Sequence, residues 1–295
     1  MKKPFFTGAC TALVTPFLDG KVNYPMMQIL LQRQLDAGLE AAVICGTTGE
    51  SATLSDAEKL ELFARCKEYV GDRMKIIAGT GSNATEHTVE LSIAAQHEGA
   101  DALLVVSPYY NKATPEGLYA HYRAVAAAVN IPVILYNVPG RTGVDIPVSV
   151  YAKLAGIPNI AGVKEASTDI TKIARILAEC PESFCVWSGN DDMVVPVMSL
   201  GGLGVISVLS NVAPKESVAM TDACRAGDFK TAAKMQADML PLINALFSEV
   251  NPIPAKAGVS AMGFGEENLR LPLTPMEDAT RAVLYAEMRK LGINV

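Results

Sequence analysis

A strand-like apolar run followed by a helix-like segment recurs about eight times, up to about residue 226, and this repetition constrains the fold more than any other feature. The runs are continuous rather than alternating, as expected for parallel strands that are covered on both faces. They centre on Cys10, Val43, Ile77, Leu104, Ile134, Val163, Val186 and Ile206. The repetition therefore predicts a TIM (β/α)8 barrel.

The segments between the runs carry helix-start signals. Ser55 and Glu58 have the spacing of a capping box, and Thr114 followed by Pro115 predicts an N-cap with proline in the first turn. A doubly wound parallel sheet is the alternative fold. That fold usually carries a glycine-rich fingerprint after its first strand, and T-P-F-L-D-G is not one.

Residues 227–295 contain no strand pattern. The run K-T-A-A-K-M-Q-A-D-M-L-P-L-I-N-A-L-F and the segments after it predict about three helices. No serine- or glycine-rich linker precedes them. We therefore expect a barrel formed by residues 1–226 and a C-terminal helical region, 227–295, packed on it.

Composition and charge exclude several functions. The net charge is −6 with acids and bases mixed, so nothing resembles a basic stripe for nucleic acid. No apolar run approaches the roughly 18 residues of a membrane span, and Pro4 and Gly8 interrupt the segment where a signal-peptide core would lie. The six cysteines include no C-x-x-C pair, which fits buried free thiols in a reducing cytoplasm. No cluster has metal-ligand spacing, so we expect no catalytic metal and no cofactor.

Lys164 stands out because it ends an apolar run, I-A-G-V-K-E-A-S, which predicts a buried strand. Lysine is seldom fully buried without a partner or a task. At the end of a core strand its ammonium loses water, which favours the neutral amine, and a neutral amine forms a Schiff base with a carbonyl substrate. From this run alone, a lysine that leaves the strand and pairs with Glu165 remains open as the alternative.

Polar side chains gather at the ends of the predicted strands, where TIM barrels carry their chemistry. The second strand runs into G-T-T-G-E, the fourth into S-P-Y-Y-N-K, the fifth into Y-N-V-P-G-R-T-G, the seventh into S-G-N-D and the eighth into I-S-V-L-S-N. Each motif has an ordinary explanation, such as a turn glycine, a packed tyrosine or a solvated arginine. Together they supply an amine, hydroxyls able to relay protons and a guanidinium suited to a carboxylate.

These motifs, in this order and spacing, resemble those of the dihydrodipicolinate synthase family, which belongs to the aldolases that act on pyruvate through a lysine Schiff base. The resemblance covers the whole chain. V-K-E-A-S and G-T-T-G-E occur with variations across that superfamily, whereas N-acetylneuraminate lyases lack an arginine at the position of Arg141. The resemblance implies condensation of pyruvate with aspartate 4-semialdehyde to 4-hydroxy-tetrahydrodipicolinate, the first committed step of the diaminopimelate route to lysine.

The resemblance also implies catalytic roles. Lys164 would form the Schiff base with pyruvate, and Tyr136 would lie over that amine as proton donor and acceptor. Thr47 would link Tyr136 to Tyr110, whose counterpart in the family reaches into the active site of a neighbouring subunit. The implied assembly is a homotetramer, built as a dimer of dimers, although dimers occur in the family.

Four further residues are implied in substrate binding. Thr48 would hold the pyruvate carboxylate, while Gly189 and Ile206 line the pyruvate site. Arg141 would receive the carboxylate of aspartate semialdehyde.

Two other functions remain open. A lyase of the same superfamily that cleaves N-acetylneuraminate or a 2-keto-3-deoxy sugar acid is one, and Arg141 argues against it. A barrel that binds a small acid without chemistry is the other, and the joint presence of Lys164, Tyr136 and Thr47 argues against that.

A possible regulatory cleft is the remaining expectation, because many members of the family bind inhibitory lysine at the tight dimer interface. Seven positions correspond to that cleft: Ser51, Ala52, Asp56, Lys59, Asn83, His87 and Tyr109. Asp56 and Lys59 stand where histidines occur, and His87 stands where a glutamate pairs with the α-ammonium of the ligand. The lost carboxylate and the added charge of Lys59 predict weak or absent inhibition by lysine, although Asp56 offsets part of the loss.

Overall fold

The computed structural model describes residues 4–295. Eight parallel strands form a closed barrel, and in chain order they are β1 (Gly8–Ala12), β2 (Ala41–Ile44), β3 (Lys75–Gly79), β4 (Ala102–Val106), β5 (Val133–Asn137), β6 (Ile160–Glu165), β7 (Cys185–Ser188) and β8 (Gly204–Ser207). The order around the barrel follows the chain, and β1 closes the ring by pairing with both β2 and β8. The TIM barrel prediction is confirmed, and the doubly wound alternative is wrong.

Helices surround the barrel and form the C-terminal region. In chain order they are α1 (Tyr24–Asp36), α2 (Asp56–Val70), α3 (Thr85–His97), α4 (Pro115–Ala128), α5 (Pro139–Thr142), α6 (Val148–Leu154), α7 (Ile170–Glu179), α8 (Val194–Ser199), α9 (Pro214–Arg225), α10 (Phe229–Leu246), α11 (Ile253–Ala261) and α12 (Asp278–Lys290). Helix α10 packs on α8, α9 and α12, and α11 packs on α12. The predicted C-terminal helices are present, and the division of the chain at residue 226 stays a prediction. Within residues 4–295 no helix has the length and apolar character needed to cross a membrane.

The predicted helix starts are present as hydrogen bonds. The Ser55 hydroxyl accepts from the backbone N–H of Glu58 at 3.3 Å, and the Ser55 N–H donates to the Glu58 carboxylate at 2.9 Å. The Thr114 hydroxyl accepts from the Gly117 N–H at 3.2 Å, and Pro115 opens α4. Both helices therefore begin where local sequence chemistry places them.

Two hydrophobic clusters lie on the two faces of the barrel. The outer cluster fills the space between strands and helices, and the inner cluster fills the barrel itself. Phe6, just before β1, stacks on Trp187 of β7 with ring centroids 4.8 Å apart, and its carbonyl accepts from the indole N–H at 3.3 Å. The N-terminal segment thus fills the barrel from its amino end, which leaves the carboxyl ends of the strands for the polar residues.

Strand β6 contains a bulge. Its register on β5 shifts between Val133 and Ile134, which leaves Ala161 without a partner. The next residue, Gly162, has φ 150°, and a Cβ at that position would lie 1.9 Å from the carbonyl oxygen of Cys185. Only glycine fits such a close approach of two backbones.

The bulge decides which face each later side chain of β6 occupies. Ala161 belongs to the inner cluster and Val163 to the outer cluster, whereas residues two apart on a regular strand face the same side. The extra residue therefore turns Lys164 inward, against Tyr136 of the inner cluster, and turns Glu165 outward.

Candidate active site

A cavity of about 640 Å³ opens at the carboxyl ends of β2 to β5. Its wall includes Thr47 from the loop after β2, Tyr136 from β5 and Arg141 from α5. Asn251, which precedes α11, joins the wall from the C-terminal region. Strands far apart in sequence and the helical tail thus build one pocket, which is suited in size to a small substrate.

Lys164 lies just behind this wall. It is 5% exposed, and its Nζ lies 4.4 Å from the ring centroid of Tyr136. The two residues are Cα partners across β5 and β6, so the strand register itself holds them together. Within residues 4–295 the ammonium makes no ion pair and no hydrogen bond, and it lies against the electron-rich face of the ring.

Glu165, the next residue, is not the partner of Lys164. Its carboxylate faces the helices, where Oε2 accepts from the Tyr151 hydroxyl at 3.0 Å and lies 3.5 Å from Nζ of Lys172. Oε1 accepts from the Asn137 side-chain amide at 2.7 Å. The alternative in which Lys164 merely pairs with Glu165 is therefore wrong, because the two side chains point to opposite faces of the barrel.

The turn from Thr47 to Glu50 carries two hydroxyls, of which that of Thr47 belongs to the cavity wall and that of Thr48 lies outside it. Thr47 lines the cavity, and no hydrogen bond to its hydroxyl is present within residues 4–295. The Thr48 hydroxyl is buried and accepts from the side-chain amide of Asn251 at 2.9 Å. Because an amide N–H fills one lone pair, the Thr48 proton stays available to donate to a ligand.

Arg141 is exposed on the cavity wall. Its Nη2 donates to the carbonyl oxygen of Asn251 at 3.1 Å, and its remaining N–H groups stay available. Asn251 therefore contacts both residues implied in carboxylate binding. Sequence reasoning missed it, and the N-P-I-P run after Val250 is the one local signal of an interruption there.

Gly189 and Ile206 lie outside the cavity wall. The Gly189 N–H donates to the Glu165 carbonyl at 2.7 Å, and a Cβ on Gly189 would lie 2.5 Å from Cβ of Ala166. Ile206 is fully buried in the inner cluster that also contains Tyr136. Both residues are thus compatible with a site next to Lys164, and their contact with pyruvate stays a prediction.

Asp191, in the S-G-N-D motif, holds the loop that follows Ile206. Its buried Oδ2 accepts from the backbone N–H groups of Val208 and Leu209, at 2.9 Å each. Burial raises the pKa of Asp191, and hydrogen bonds together with the charge of Lys164 oppose that rise. The motif was noted from sequence, but this supporting role was not.

Tyr110 does not join the cavity of its own chain. It is 87% exposed and has a left-handed φ of 72°. Its neighbour Tyr109 lines the cavity instead. The structure therefore places Tyr136 against Lys164 and on the same cavity wall as Thr47, and it leaves Tyr110 exposed outside that wall.

Six residues of the predicted regulatory cleft line the same cavity as Thr47 and Tyr136, and Asn83 lies outside its wall. They are Ser51, Ala52, Asp56, Lys59, His87 and Tyr109. Asp56 accepts from Nε2 of His87 at 2.7 Å and from Nζ of Lys59 at 3.2 Å. These hydrogen bonds, that of His87 first, lower the pKa of Asp56. Its carboxylate is thus already paired within the chain.

His121 illustrates an ordinary buried histidine. Burial lowers its pKa to about 4, and Nδ1 bonds the Thr85 hydroxyl at 3.0 Å, away from the cavity. Among residues 4–295 no three His, Cys, Asp or Glu side chains form a group that could hold a metal ion.

Comparison with known proteins identifies the family. The chain matches the Dihydrodipicolinate synthetase family over residues 5–291. It is 49% identical to the 4-hydroxy-tetrahydrodipicolinate synthase of Lachnoclostridium phytofermentans over 290 residues, covering 98% of this chain and 99% of that protein. The crystal structure of dihydrodipicolinate synthase from Aquifex aeolicus superposes with a TM-score of 0.97 at 41% identity, covering 98% and 99% of the two chains. A monomeric dihydrodipicolinate synthase variant superposes with a TM-score of 0.96 at 42% identity, covering 98% and 97%. The chain belongs to the dihydrodipicolinate synthetase family.

Proposed function

We propose that the chain is a lyase that condenses pyruvate with aspartate 4-semialdehyde to 4-hydroxy-tetrahydrodipicolinate, through a Schiff base on Lys164. One observation carries the assignment of the nucleophile. The Lys164 amine is buried beside the cavity with no carboxylate partner and no hydrogen-bond acceptor among residues 4–295. An amine kept in that state is free to attack a carbonyl carbon.

The reaction follows in four steps. Nζ of Lys164 attacks the ketone carbon of pyruvate, and water leaves to give an imine. The imine withdraws electrons from the methyl group, which loses a proton and becomes an enamine carbon. That carbon forms a bond to the aldehyde carbon of the semialdehyde, whose oxygen takes up a proton. The amine of the same substrate then attacks the imine carbon, closes the ring and releases Lys164.

The protons of these steps need a route between Lys164 and solvent. Tyr136 lies against Nζ, and its side chain shares the cavity wall with Thr47. We infer that bound substrate completes a chain of hydroxyls through Tyr136, Thr47 and Tyr110. Each hydroxyl passes a proton only to its neighbour, so no imidazole is required.

The two carboxylates of the substrates have separate binding groups. Thr48 keeps a free proton because Asn251 fills its acceptor position, and it donates to the pyruvate carboxylate. Arg141 has unused N–H groups that grip the carboxylate of the semialdehyde in a bidentate manner. Gly189 and Ile206 complete the pyruvate site.

Tyr110 is proposed to act in a second copy of the chain, within a homotetramer built as a dimer of dimers. Its exposure, and its absence from the wall of its own cavity, support this reading. Hybrids of Tyr110→Phe and Lys164→Ala subunits would then contain some intact sites, and we expect activity well above that of either parent. Hybrids no more active than the parents would place Tyr110 outside the relay. The buried positions of the cysteines fit a reducing cytoplasm.

Borohydride trapping followed by turnover tests the function. Pyruvate and borohydride should leave a covalent adduct on the peptide that contains Lys164, and no adduct would exclude Schiff-base chemistry. Turnover with aspartate semialdehyde, and none with N-acetylneuraminate or a 2-keto-3-deoxy sugar acid, would separate the synthase from the lyase alternatives. The family membership and Arg141 already favour condensation.

A further inference from the structure

A buried ion pair joins the C-terminal helical region to the turn that carries Thr47 and Thr48. Nζ of Lys256, on α11, bonds Oε1 of Glu50, and the two side chains are 2% and 0% exposed. Neither Lys256 nor Glu50 takes part in the mechanism proposed above. A buried pair of this kind seldom adds net stability over apolar residues of similar size, so its presence calls for another explanation.

Both side chains of the ion pair make further contacts. Nζ of Lys256 also donates to the Asn268 carbonyl at 2.6 Å and lies 4.0 Å from the ring centroid of Phe17. The second carboxylate oxygen of Glu50 accepts from the backbone N–H of Arg270 at 3.0 Å. The pair is therefore fixed from both sides, and neither charge is free to bind a ligand.

Glu50 ends the Thr47–Glu50 turn, and contacts from outside the turn are needed to keep its backbone conformation. Its φ is 56°, in the left-handed region that non-glycine residues adopt only when the surroundings impose it. Its N–H donates to the Thr47 carbonyl at 3.1 Å, so the position of Glu50 fixes that of the turn. The same C-terminal segment holds Thr48 directly through Asn251.

We propose that Lys256 is a positioning residue for pyruvate, because its ion pair with Glu50 holds the Thr47–Glu50 turn in the conformation that presents the Thr48 hydroxyl. The proposal rests on the function stated above, in which Thr48 receives the pyruvate carboxylate. The C-terminal helices would then contribute to pyruvate binding through Lys256, although they lie away from the reacting atoms. Lys256 touches no substrate in this arrangement.

The pair also makes pyruvate binding sensitive to alkaline pH. Burial lowers the pKa of Lys256 to about 8, Glu50 opposes this shift and Arg270 adds to it. Arg270 is itself paired with Glu58, so Glu50 is the carboxylate that faces the ammonium. As the pH rises through about 8 the ammonium of Lys256 loses its proton, and the ion pair that holds the turn is broken.

Two variants separate positioning from stability. Lys256→Met removes the ammonium and leaves Glu50 buried and unpaired, so it also weakens the fold. Lys256→Met combined with Glu50→Gln removes both charges and should regain most of the lost melting temperature. Arg281→Met is the matched control, because it breaks the ion pair with Glu267 elsewhere in the C-terminal region.

The measurements are kcat and KM for each substrate, together with the pyruvate concentration that gives half-maximal borohydride trapping. We expect both Lys256 variants to raise KM and the trapping midpoint for pyruvate by about 10- to 100-fold, with kcat and the KM for the semialdehyde changed less than about threefold. In the wild-type enzyme the KM for pyruvate should rise above about pH 8, and the double variant should lose this rise. Arg281→Met should lower the melting temperature only.

A double variant with recovered stability and a wild-type KM for pyruvate would overturn the proposal. So would a wild-type KM that stays flat between pH 7 and pH 9. Failure of the proposed function would look different, because the wild-type enzyme would then form no adduct and show no turnover.

Discussion

The two faces of β6 carry buried charges that differ in whether they are paired. On the outer face, Glu165 is satisfied by Lys172, Tyr151 and Asn137. On the inner face, Lys164 makes no ion pair and no hydrogen bond within residues 4–295. Adjacent residues of one strand thus differ in whether their charge is compensated. A compensated cluster fixes structure, whereas an uncompensated amine is kept for chemistry.

The same contrast holds across the described chain. Three of the four buried lysines of residues 4–295 have carboxylate partners: Lys59 with Asp56, Lys172 with Glu165 and Asp145, and Lys256 with Glu50. Lys164 has none. Burial alone therefore does not identify the nucleophile, and the missing partner does.

Replacement of Lys164, on β6, and of Lys172, on α7, gives the largest expected effects and tests the comparison directly. Lys164→Met should lower turnover by at least about 10³-fold, since the nucleophile is gone. It should leave the melting temperature unchanged or higher, because no partner loses its charge. Lys172→Met strands the buried Glu165 carboxylate and should cost about 3–5 kcal/mol of unfolding free energy, while pyruvate still forms the adduct. Turnover assays and denaturant unfolding measure both.

Arginine at position 164 serves as a further control. Lys164→Arg keeps a positive charge but should remain inactive, because a guanidinium stays protonated and does not attack a carbonyl. Equal losses of stability in Lys164→Met and Lys172→Met would break the comparison. An adduct on a peptide without Lys164 would move the nucleophile elsewhere.

Two tyrosines, one on each face, provide the next test. Tyr136→Phe removes one oxygen and little volume, and turnover should fall by about 10²–10⁴-fold if the hydroxyl carries protons. Tyr151→Phe removes the hydrogen bond to Glu165 and should cost about 1–3 kcal/mol of stability, with turnover little changed. Turnover assays and thermal melts on both variants separate the catalytic role from the structural one. Near wild-type turnover in Tyr136→Phe would remove it from the mechanism.

The barrel was predictable because its signals are local. Each strand and each helix cap, such as Ser55 with Glu58, is determined by a few neighbouring residues in the sequence. The parallel barrel then places the ends of the strands together, so the polar residues that follow them are expected on one rim, and the resemblance to the family implied that Lys164, Tyr136 and Thr47 act together. The predicted helical tail has the same local origin.

The direction of the Lys164 side chain was not predictable in this way. It depends on a bulge at Ala161 and Gly162, which changes the face of every later residue in β6. The contacts of Asn251 and Lys256 were also missed, because they join segments about 200 residues apart and a single sequence carries no sign of such pairs. Glu50 was noted only as the end of a motif for the same reason.

Arg141 offers a test of smaller effect, because it assists binding rather than bond formation. Arg141→Met should raise the KM for aspartate semialdehyde by about 10- to 100-fold, the worth of one charged hydrogen-bonded contact, and should change that for pyruvate much less. Arg65→Met is the matched control, since Arg65 pairs with Glu61 on an exposed helix face. Steady-state kinetics with each substrate varied would decide. Equal rises for both substrates would make Arg141 a scaffold residue.

The smallest expected effect lies at the predicted regulatory cleft, where the contrast between paired and unpaired charge predicts little or no response to lysine. The ligand carries two ammonium groups and needs a free carboxylate. Asp56 is the acidic side chain among the seven cleft positions, but His87 and Lys59 already bond both of its oxygens. Lys59 also adds a positive charge close to where the ligand would lie, and a cation that leaves water without a partner binds poorly.

An activity titration with L-lysine measures this, and half-inhibition should require more than about 1 mM, which corresponds to less than about 4 kcal/mol of binding. His87→Glu sharpens the test. It removes one partner of Asp56 and adds a carboxylate to the wall of the cleft, so the half-inhibitory concentration should fall while turnover without lysine stays the same. Wild-type inhibition well below a millimolar would mean that Asp56 exchanges its bonds to His87 and Lys59 for bonds to the ligand. Charge pairing in a resting site would then not exclude a cation, and the contrast drawn between the two faces of β6 would not extend to this cleft.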